Sequence, residues 1–154
     1  MVKKILSIVI TLIWTLLIFN FSNANAQSSS SISDGIIRNT IHFITKIDKD
    51  SKEMDKYIKT YSFPLRKCAH FIEYFILGIL VSNMLYTLGM KRKYVLLASI
   101  ICIIYALTDE FHQTFIDGRS GQISDVFLDS SGSLIATVVF YTYINTKIKR
   151  LIHK

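Results

Sequence analysis

Residues 105–129 read YALTDEFHQTFIDGRSGQISDVFLD and place a dense group of ionisable residues within a very apolar chain. The stretch lies between two strongly apolar segments, and an ionisable group at membrane depth carries a high free-energy cost. In membrane proteins such groups therefore usually face the protein interior, a partner or water. The ionisable residues of this stretch are Asp109, Glu110, His112, Asp117, Arg119, Asp125 and Asp129.

The composition predicts an all-α integral membrane protein. Apolar residues make up 51% of the 154 residues and charged residues 19%, and the mean hydropathy is +0.38. The apolar residues are concentrated in four runs, and a helix that crosses a bilayer needs about 17–25 of them. We predict a four-helix bundle that forms a single membrane domain over residues 1–154. Its membrane-spanning helices are predicted at about 5–21, 71–88, 94–111 and 126–144.

The placement of charge predicts the orientation of these helices. The net charge is +7, and basic residues without acidic neighbours cluster at the N-terminus, in the second connection and at the C-terminus. The positive-inside rule then puts both termini in the cytoplasm, and the segment 22–65 and the connection 109–125 outside the cell membrane. The basic charge is thus explained by topology, so we predict the lipid bilayer as a partner and no nucleic acid.

The N-terminal 26 residues also have features of a signal peptide. Lys3 and Lys4 precede the apolar run, and Ala24-Asn25-Ala26 has the small-residue pattern of a cleavage site. The run is 17 residues long, whereas the apolar core of a signal peptide usually has about 7–15 residues. The length favours retention of this segment as a membrane anchor.

The segment 22–65 divides into three parts by composition. Ser22–Asp34 is small and polar and predicts a linker. Apolar residues from Ile36 to Ile47 recur at near-helical spacing. This pattern predicts a helix, capped by Ser33 or Asp34, that lies over the bundle or on the membrane surface. The alternative is that the segment is a simple spacer. Residues 48–61 are charged and predict a solvated segment, and Pro64 is expected to mark the start of the second membrane helix.

Two membrane helices carry ionisable residues on shared faces. Arg66, His70 and Glu73 follow the i, i+4, i+7 rule and form one stripe, which we expect to point into the bundle. In the third membrane helix, Asp109 and His112 are neighbours on one face, and the same spacing pairs Glu110 with Gln113.

The fourth membrane helix begins after a predicted turn, Gly118-Arg119-Ser120-Gly121. Asp125 then occupies a position suited to an N-cap or a first-turn acid. Gly132 and Ala136 are four residues apart, which predicts a small face that lets two helices approach closely.

Five sequence motifs occur together in this chain. They are Phe19–Ser22 before a serine-rich stretch, RKCAHFIEY at 66–74, YALTDEFHQ at 105–113, GRSG at 118–121 and Asp125-Val126. In these motifs the chain resembles the VanZ-like family of small, multi-pass bacterial membrane proteins, from about Trp14 to Ala136. The resemblance implies membrane localisation and lowered susceptibility to the lipoglycopeptide teicoplanin, without implying a defined reaction.

The predicted topology places all of these polar motifs at the outer face of the membrane, so we expect them to form one outward-facing pocket. The candidate catalytic residues are His70, Glu73, Asp109, Glu110 and His112. The candidate ligand-binding residues are Arg66, Lys67, Gln113, Arg119, Ser120 and Asp125.

One hypothesis for this pocket is an enzyme. His70 or His112 acts as general base, Glu73 or Asp109 orients it, and Arg119 binds the phosphate or carboxylate of a lipid-linked or cell-wall substrate. The sequence contains no G-x-S-x-G, H-E-x-x-H or P-loop pattern, so it does not predict those mechanisms. The five candidate catalytic residues also offer nitrogen and oxygen ligands for a divalent ion, but they match no known ligand signature, and we assign no metal or cofactor.

Two further hypotheses involve no chemistry. In the first, Arg66, Lys67 and Arg119 hold an anionic headgroup or the acidic part of a drug. In the second, the ion pairs Asp109–Arg119 and Glu73–Arg66 only close the bundle, with no role in resistance. Transport is less favoured, because the chain has no visible repeat or broken helix pair.

Overall fold

A computed structural model describes residues 1–24, 26–91 and 93–152. These residues contain five α-helices and no strand, which confirms the predicted all-α class. All of the helices except the second are long and apolar enough to cross a membrane, as predicted. The helices are α1 Val2–Ser22, α2 Ala26–Thr45, α3 Lys52–Thr87, α4 Tyr94–Gln113 and α5 Ile123–Ile152.

Helix α1 buries polar residues and exposes apolar ones. The buried Ser7 and Thr11 contact α3: the hydroxyl oxygens of Ser7 and Thr87 lie 2.9 Å apart, and the Thr11 hydroxyl donates to the Leu80 carbonyl at 3.3 Å. Leu16, on the outer side, is 62% exposed. Lipid tails are as apolar as leucine, so membrane helices associate through packing and hydrogen bonds rather than by hiding apolar surface. The pattern therefore fits a helix surrounded by lipid.

Helix α3 is central and contacts each of the other four helices. Its closest approach is to α5, where a Cβ added at Gly78 would lie 2.5 Å from the Ser133 carbonyl oxygen and 2.9 Å from the Cβ of Ala136. A Cβ added at Gly132 would lie 2.6 Å from the Phe71 carbonyl oxygen. The predicted small face at Gly132 and Ala136 is confirmed, because no larger side chain fits at these glycines without separating the helices.

One end of the bundle is held together by aromatic rings. Tyr86 of α3, Tyr94 of α4 and Phe140 of α5 meet edge to face, with ring centroids 5.6, 6.2 and 5.8 Å apart. This geometry is the one that the aromatic quadrupole favours. We call these three residues the aromatic end.

The prediction that Pro64 marks the start of the second membrane helix is wrong. Helix α3 begins at Lys52, is capped by the Ser51 hydroxyl, and contains Pro64 in its interior. A proline removes one backbone donor, which leaves the carbonyl of Thr60 without its helical partner. Thr60 is exposed, so water can satisfy that carbonyl. At about 1.5 Å per residue, this 36-residue helix is longer than the hydrocarbon core of a bilayer.

The predicted linker at Ser22–Asp34 is also wrong from residue 26 onward, because α2 begins at Ala26 and not at a cap near Ser33. The serine hydroxyls bond back to the helix's own carbonyls, as Ser33 does to Ser29 at 3.2 Å. Contacts with α3 stabilise α2: Asp34 accepts from Ser62, and Ser30 accepts from an arginine of α3. Tertiary contacts outweigh the poor helix propensity of serine.

Candidate functional site

The end of the bundle opposite the aromatic end is polar. The last turn of α4, the following loop, the first turn of α5 and the middle of α3 meet there, and a cavity of about 180 Å³ lies between them and α2. We call this region the polar end. The predicted site residues that line the cavity are Arg66, Lys67, His70, Gln113, Arg119, Ser120 and Asp125.

Three cationic side chains line this cavity. Lys67 forms an ion pair with Asp125, which lies in the first turn of α5 as predicted. The Arg66 guanidinium donates to the Ser30 hydroxyl at 2.7 Å, and the Arg119 guanidinium donates to the Phe21 carbonyl at 3.3 Å. Both arginines therefore bond to neutral oxygens, and their charges are not neutralised by a carboxylate within 4.0 Å in the described ranges.

Arg119 lies in the loop between α4 and α5. Burial lowers the pKa of its guanidinium, and the carboxylates of Asp109, Glu110 and Glu73 act in the opposite direction. An arginine remains charged under these conditions because its pKa starts so high. The loop thus supplies a permanent positive charge to the cavity.

The loop geometry requires glycine at two positions. Gly118 has a φ of 74°, in the left-handed region that glycine tolerates best. A Cβ added at Gly121 would lie 2.3 Å from the Glu110 carbonyl oxygen. The predicted turn is therefore present, and its glycines allow Arg119 and Ser120 to lie close to the end of α4.

His70 and Glu73 lie on one face of α3, as predicted. The His70 Nδ1 lies 4.0 Å from the Glu73 Oε2. This nitrogen is buried and has no hydrogen-bond partner in the part of the chain that the structure describes. The distance is too long for a hydrogen bond but compatible with an ion pair when the imidazole is protonated. His70 lines the cavity, while its Nδ1 lies buried beside Glu73.

Asp109 and Glu110 lie behind the wall of the cavity, each 4% exposed. The Tyr74 hydroxyl donates to Asp109 at 3.2 Å, and the Gln113 amide donates to the same oxygen at 3.5 Å. The backbone N–H of Gln122 donates to Glu110 at 2.9 Å. Gln113 and Gln122 also line the cavity, so they connect it to the two buried acids.

His112 lies away from this cavity. Its Nε2 is 3.1 Å from the Asn23 Oδ1, and its ring stacks on Phe19 with the centroids 4.9 Å apart. Because His112 faces the end of α1, it is separated from the other candidate catalytic residues.

The two ion pairs of the structural hypothesis do not form. No pair joins Asp109 to Arg119, or Glu73 to Arg66, within 4.0 Å. The arginines bond instead to oxygens of α1 and α2.

Asp129 of α5 is the acid that the sequence-based site omitted. It is 0% exposed, and neither of its carboxylate oxygens has a hydrogen-bond partner among the residues described. One oxygen each from Asp109, Glu110 and Asp129 lie within 4.8 Å of one another. The sequence does contain a signal for Asp129, because an acid within an apolar membrane-spanning run usually marks a functional site. The contributions of Tyr74 and of the Gln122 backbone had no comparable sequence signal, and His70 and His112 do not join this group.

A sequence model of the VanZ/LLP1 family matches residues 7–145, which is nearly the whole chain. The matched range includes every residue that lines the cavity and the three buried acids. No curated protein and no solved structure matches the chain.

Proposed function

This chain belongs to the VanZ/LLP1 family, and we propose that its polar end binds the anionic headgroup of an envelope lipid or of a lipid-linked cell-wall component. Binding takes place at the outer face of a bacterial cell membrane. The residues that hold the headgroup are Arg66, Lys67, Gln113, Arg119 and Ser120. Asp125 orients Lys67 by pairing with it.

The charge balance of the cavity supports this proposal most strongly. Asp125 offsets the charge of Lys67, whereas Arg66 and Arg119 each bond only to a neutral oxygen. Two guanidinium groups at one cavity, each with no carboxylate of the described residues within 4.0 Å, suit a phosphate or carboxylate ligand, which arginine binds through paired, charge-assisted hydrogen bonds. Such bonds are worth about 1.5–3 kcal/mol each.

The size of the cavity indicates which part of a ligand enters it. Its volume of about 180 Å³ is below the range of roughly 300–1,000 Å³ that is typical for drug-sized ligands. A phosphate-containing headgroup fits this space, but a whole lipoglycopeptide does not. Lowered susceptibility to teicoplanin, which the family resemblance implies, would therefore act through an envelope component rather than through capture of the drug.

The distribution of charge along the chain supports an outward-facing cavity. Lysines and arginines without acidic neighbours flank the aromatic end and both termini, whereas the acids cluster at the polar end and in the α2–α3 region. The positive-inside rule then puts the polar end on the extracytoplasmic side.

Lipid retention by purified protein tests the proposal. Full-length protein in detergent micelles is incubated with phosphatidylglycerol or phosphatidylcholine, and bound lipid is counted by native mass spectrometry. We expect wild-type protein to retain phosphatidylglycerol preferentially, and the double variant Arg66→Gln/Arg119→Gln to retain at least about tenfold less, since each lost charge-assisted bond is worth a factor of about ten or more.

Arg38→Gln is the matched control, because Arg38 is a cation of α2 that pairs with Asp50 outside the cavity. Its lipid retention should equal that of the wild type. Equal retention of the two lipids by wild-type protein, or full retention by the double variant, would refute the proposal.

A second candidate function is hydrolysis or transfer at the bound headgroup. It is favoured by His70, which lines the cavity and has Glu73 4.0 Å from its buried Nδ1, so that Glu73 can orient the imidazole as a general base. In this case, product accumulates with time from a bound anionic substrate, and His70→Gln stops the accumulation while lipid retention stays at the wild-type level. Saturable binding without product would exclude the enzyme but not the binding function.

The link to teicoplanin is tested in cells. Expression of the wild-type chain is expected to raise the inhibitory concentration of teicoplanin, and Arg38→Gln should do the same. The double variant Arg66→Gln/Arg119→Gln, at equal membrane abundance, should not. If the wild-type chain has no effect, the resistance role is removed.

A further inference from the structure

We propose that Asp109, Glu110 and Asp129 form a binding site for one divalent cation that prefers oxygen ligands, such as Ca²⁺, Mg²⁺ or Mn²⁺. The three acids come from the last turns of α4 and the second turn of α5. One carboxylate oxygen from each lies within 4.8 Å of the other two, and none of the three residues is more than 4% exposed.

The unpartnered oxygens of this cluster point independently to a ligand. Asp129 is completely buried, and both of its oxygens lack a hydrogen-bond partner among the described residues, as does the Oε1 of Glu110. A buried carboxyl group with no positive partner takes up a proton, whereas a bound metal ion keeps it ionised. The protein's own hydrogen bonds leave these oxygens free to bind such an ion.

The nearby cations of the protein do not contact these acids. Lys67 pairs with Asp125, and Arg119 donates to the Phe21 carbonyl. Within the ranges that the structure describes, no lysine or arginine lies within 4.0 Å of the three clustered acids. Arg119 interacts with Asp109 and Glu110 only from beyond that distance, so a positive group in direct contact with the three carboxylates would have to come from outside the chain.

The chemistry of the cluster selects the class of cation. All of the donors are carboxylate oxygens, which suit hard cations such as Ca²⁺, Mg²⁺ and Mn²⁺ rather than ions that prefer thiolate. Oxygens on opposite sides of a Ca²⁺ ion lie about 4.6–5.2 Å apart, and those around Mg²⁺ at most about 4.2 Å apart. The separations of up to 4.8 Å match a single Ca²⁺ ion directly, whereas the smaller Mg²⁺ requires the oxygens to move closer together.

Neighbouring groups hold two of the carboxylates in place. The Tyr74 hydroxyl and the Gln113 amide donate to one oxygen of Asp109, and the Gln122 backbone N–H donates to one oxygen of Glu110. In each case a second oxygen remains free to bind a cation. Such supporting hydrogen bonds orient ligands and usually accompany metal sites.

This site is separate from the proposed headgroup site, although it lies directly behind it. Gln113 and Gln122 form part of the cavity wall. The Gln113 side-chain amide also donates to Asp109, and the Gln122 backbone N–H donates to Glu110. A cation bound there would add positive charge close to an anionic headgroup. The two proposals fail independently, because one is measured by ion content and the other by lipid retention.

Ion content and thermal unfolding of full-length protein in micelles test the site. The protein is stripped with a chelator, dialysed against Ca²⁺, Mg²⁺ or Mn²⁺, and analysed by elemental mass spectrometry and by its melting temperature. We expect about one bound ion per chain and a rise in melting temperature, and at least about tenfold weaker binding for Asp129→Asn, which removes a ligand charge.

The matched control is Asp117→Asn, because Asp117 is an exposed acid in the loop between α4 and α5. It should bind the ion as the wild type does. If Asp129→Asn does not give a helical, monodisperse protein, Glu110→Gln takes its place. The site would be refuted if wild-type protein held none of the three ions above background, or if the cluster variant bound as tightly as the control. Lipid retention by the chelated wild type distinguishes either failure from a failure of headgroup binding.

Discussion

The two ends of the bundle are built from the same three helices but follow opposite rules. At the aromatic end, Tyr86, Tyr94 and Phe140 fill the space with rings in favourable edge-to-face contact. At the polar end, buried acids such as Asp109 and Asp129 occupy the corresponding positions, and several of their oxygens have no protein partner within the described ranges. Burying such groups costs free energy. The difference fits a stabilising role for the aromatic end and our proposal that the polar end binds a ligand.

The largest expected effect comes from breaking the aromatic end. Phe140→Ala removes the ring that contacts both Tyr86 and Tyr94. We expect the free energy of unfolding to fall by about 3 kcal/mol, measured by denaturant titration in micelles. The molecules that remain folded should retain phosphatidylglycerol at the wild-type level. A loss of retention without a loss of stability would contradict the assignment of the two ends.

A change at the polar end should have the opposite sign. In chelated protein, Asp129→Asn removes a buried charge that has no partner, so the free energy of unfolding should rise by about 1–2 kcal/mol. Excess Ca²⁺ should reverse the order, because only the wild type gains stability from the ion. Unfolding curves with and without Ca²⁺ measure both effects. If Asp129→Asn were destabilising under both conditions, the acid would have a structural role.

The smallest expected effect comes from removing the Tyr94 hydroxyl at the aromatic end. The Tyr94 hydroxyl is buried and lacks a partner in the described part of the chain. Tyr94→Phe keeps the ring contacts and removes only this group, so the free energy of unfolding should rise by less than about 1 kcal/mol. The same unfolding assay measures it. A loss of stability would show that the hydroxyl has a partner, such as lipid or water, and that the aromatic end is not purely a packing region.

Much of the fold follows from the sequence. Runs of apolar residues predicted the membrane helices, because a bilayer demands a minimum length of apolar helix. A close helix contact on α5 followed from Gly132 and Ala136, since small residues permit backbone contact, whereas the identity of α3 as the partner came from the structure. The shared face of His70 and Glu73 followed from helical periodicity alone.

Other features depend on tertiary contacts that no local pattern encodes. The serine-rich start of α2 is helical because Ser30 and Asp34 bond to α3. Pro64 is tolerated within α3 because the carbonyl that it leaves without a helical donor belongs to Thr60. Thr60 is exposed, so water can bond to that carbonyl. Glu110 is held by a backbone N–H, a donor that nearly every residue carries, so its partner could not be identified from the sequence.

The central claim is that the polar end faces outside and the aromatic end faces the cytoplasm. Asp117, in the loop between α4 and α5, and Lys91, in the loop between α3 and α4, are both exposed and lie at opposite ends of the bundle. Each is replaced by cysteine in a Cys68→Ser background, in which Cys102 remains buried.

Intact cells are then treated with a maleimide that does not cross membranes, and labelling of the two variants is compared before and after permeabilisation. The account predicts that Asp117→Cys is labelled in intact cells, and that Lys91→Cys is labelled only after permeabilisation. Labelling of Lys91→Cys but not Asp117→Cys in intact cells would contradict it.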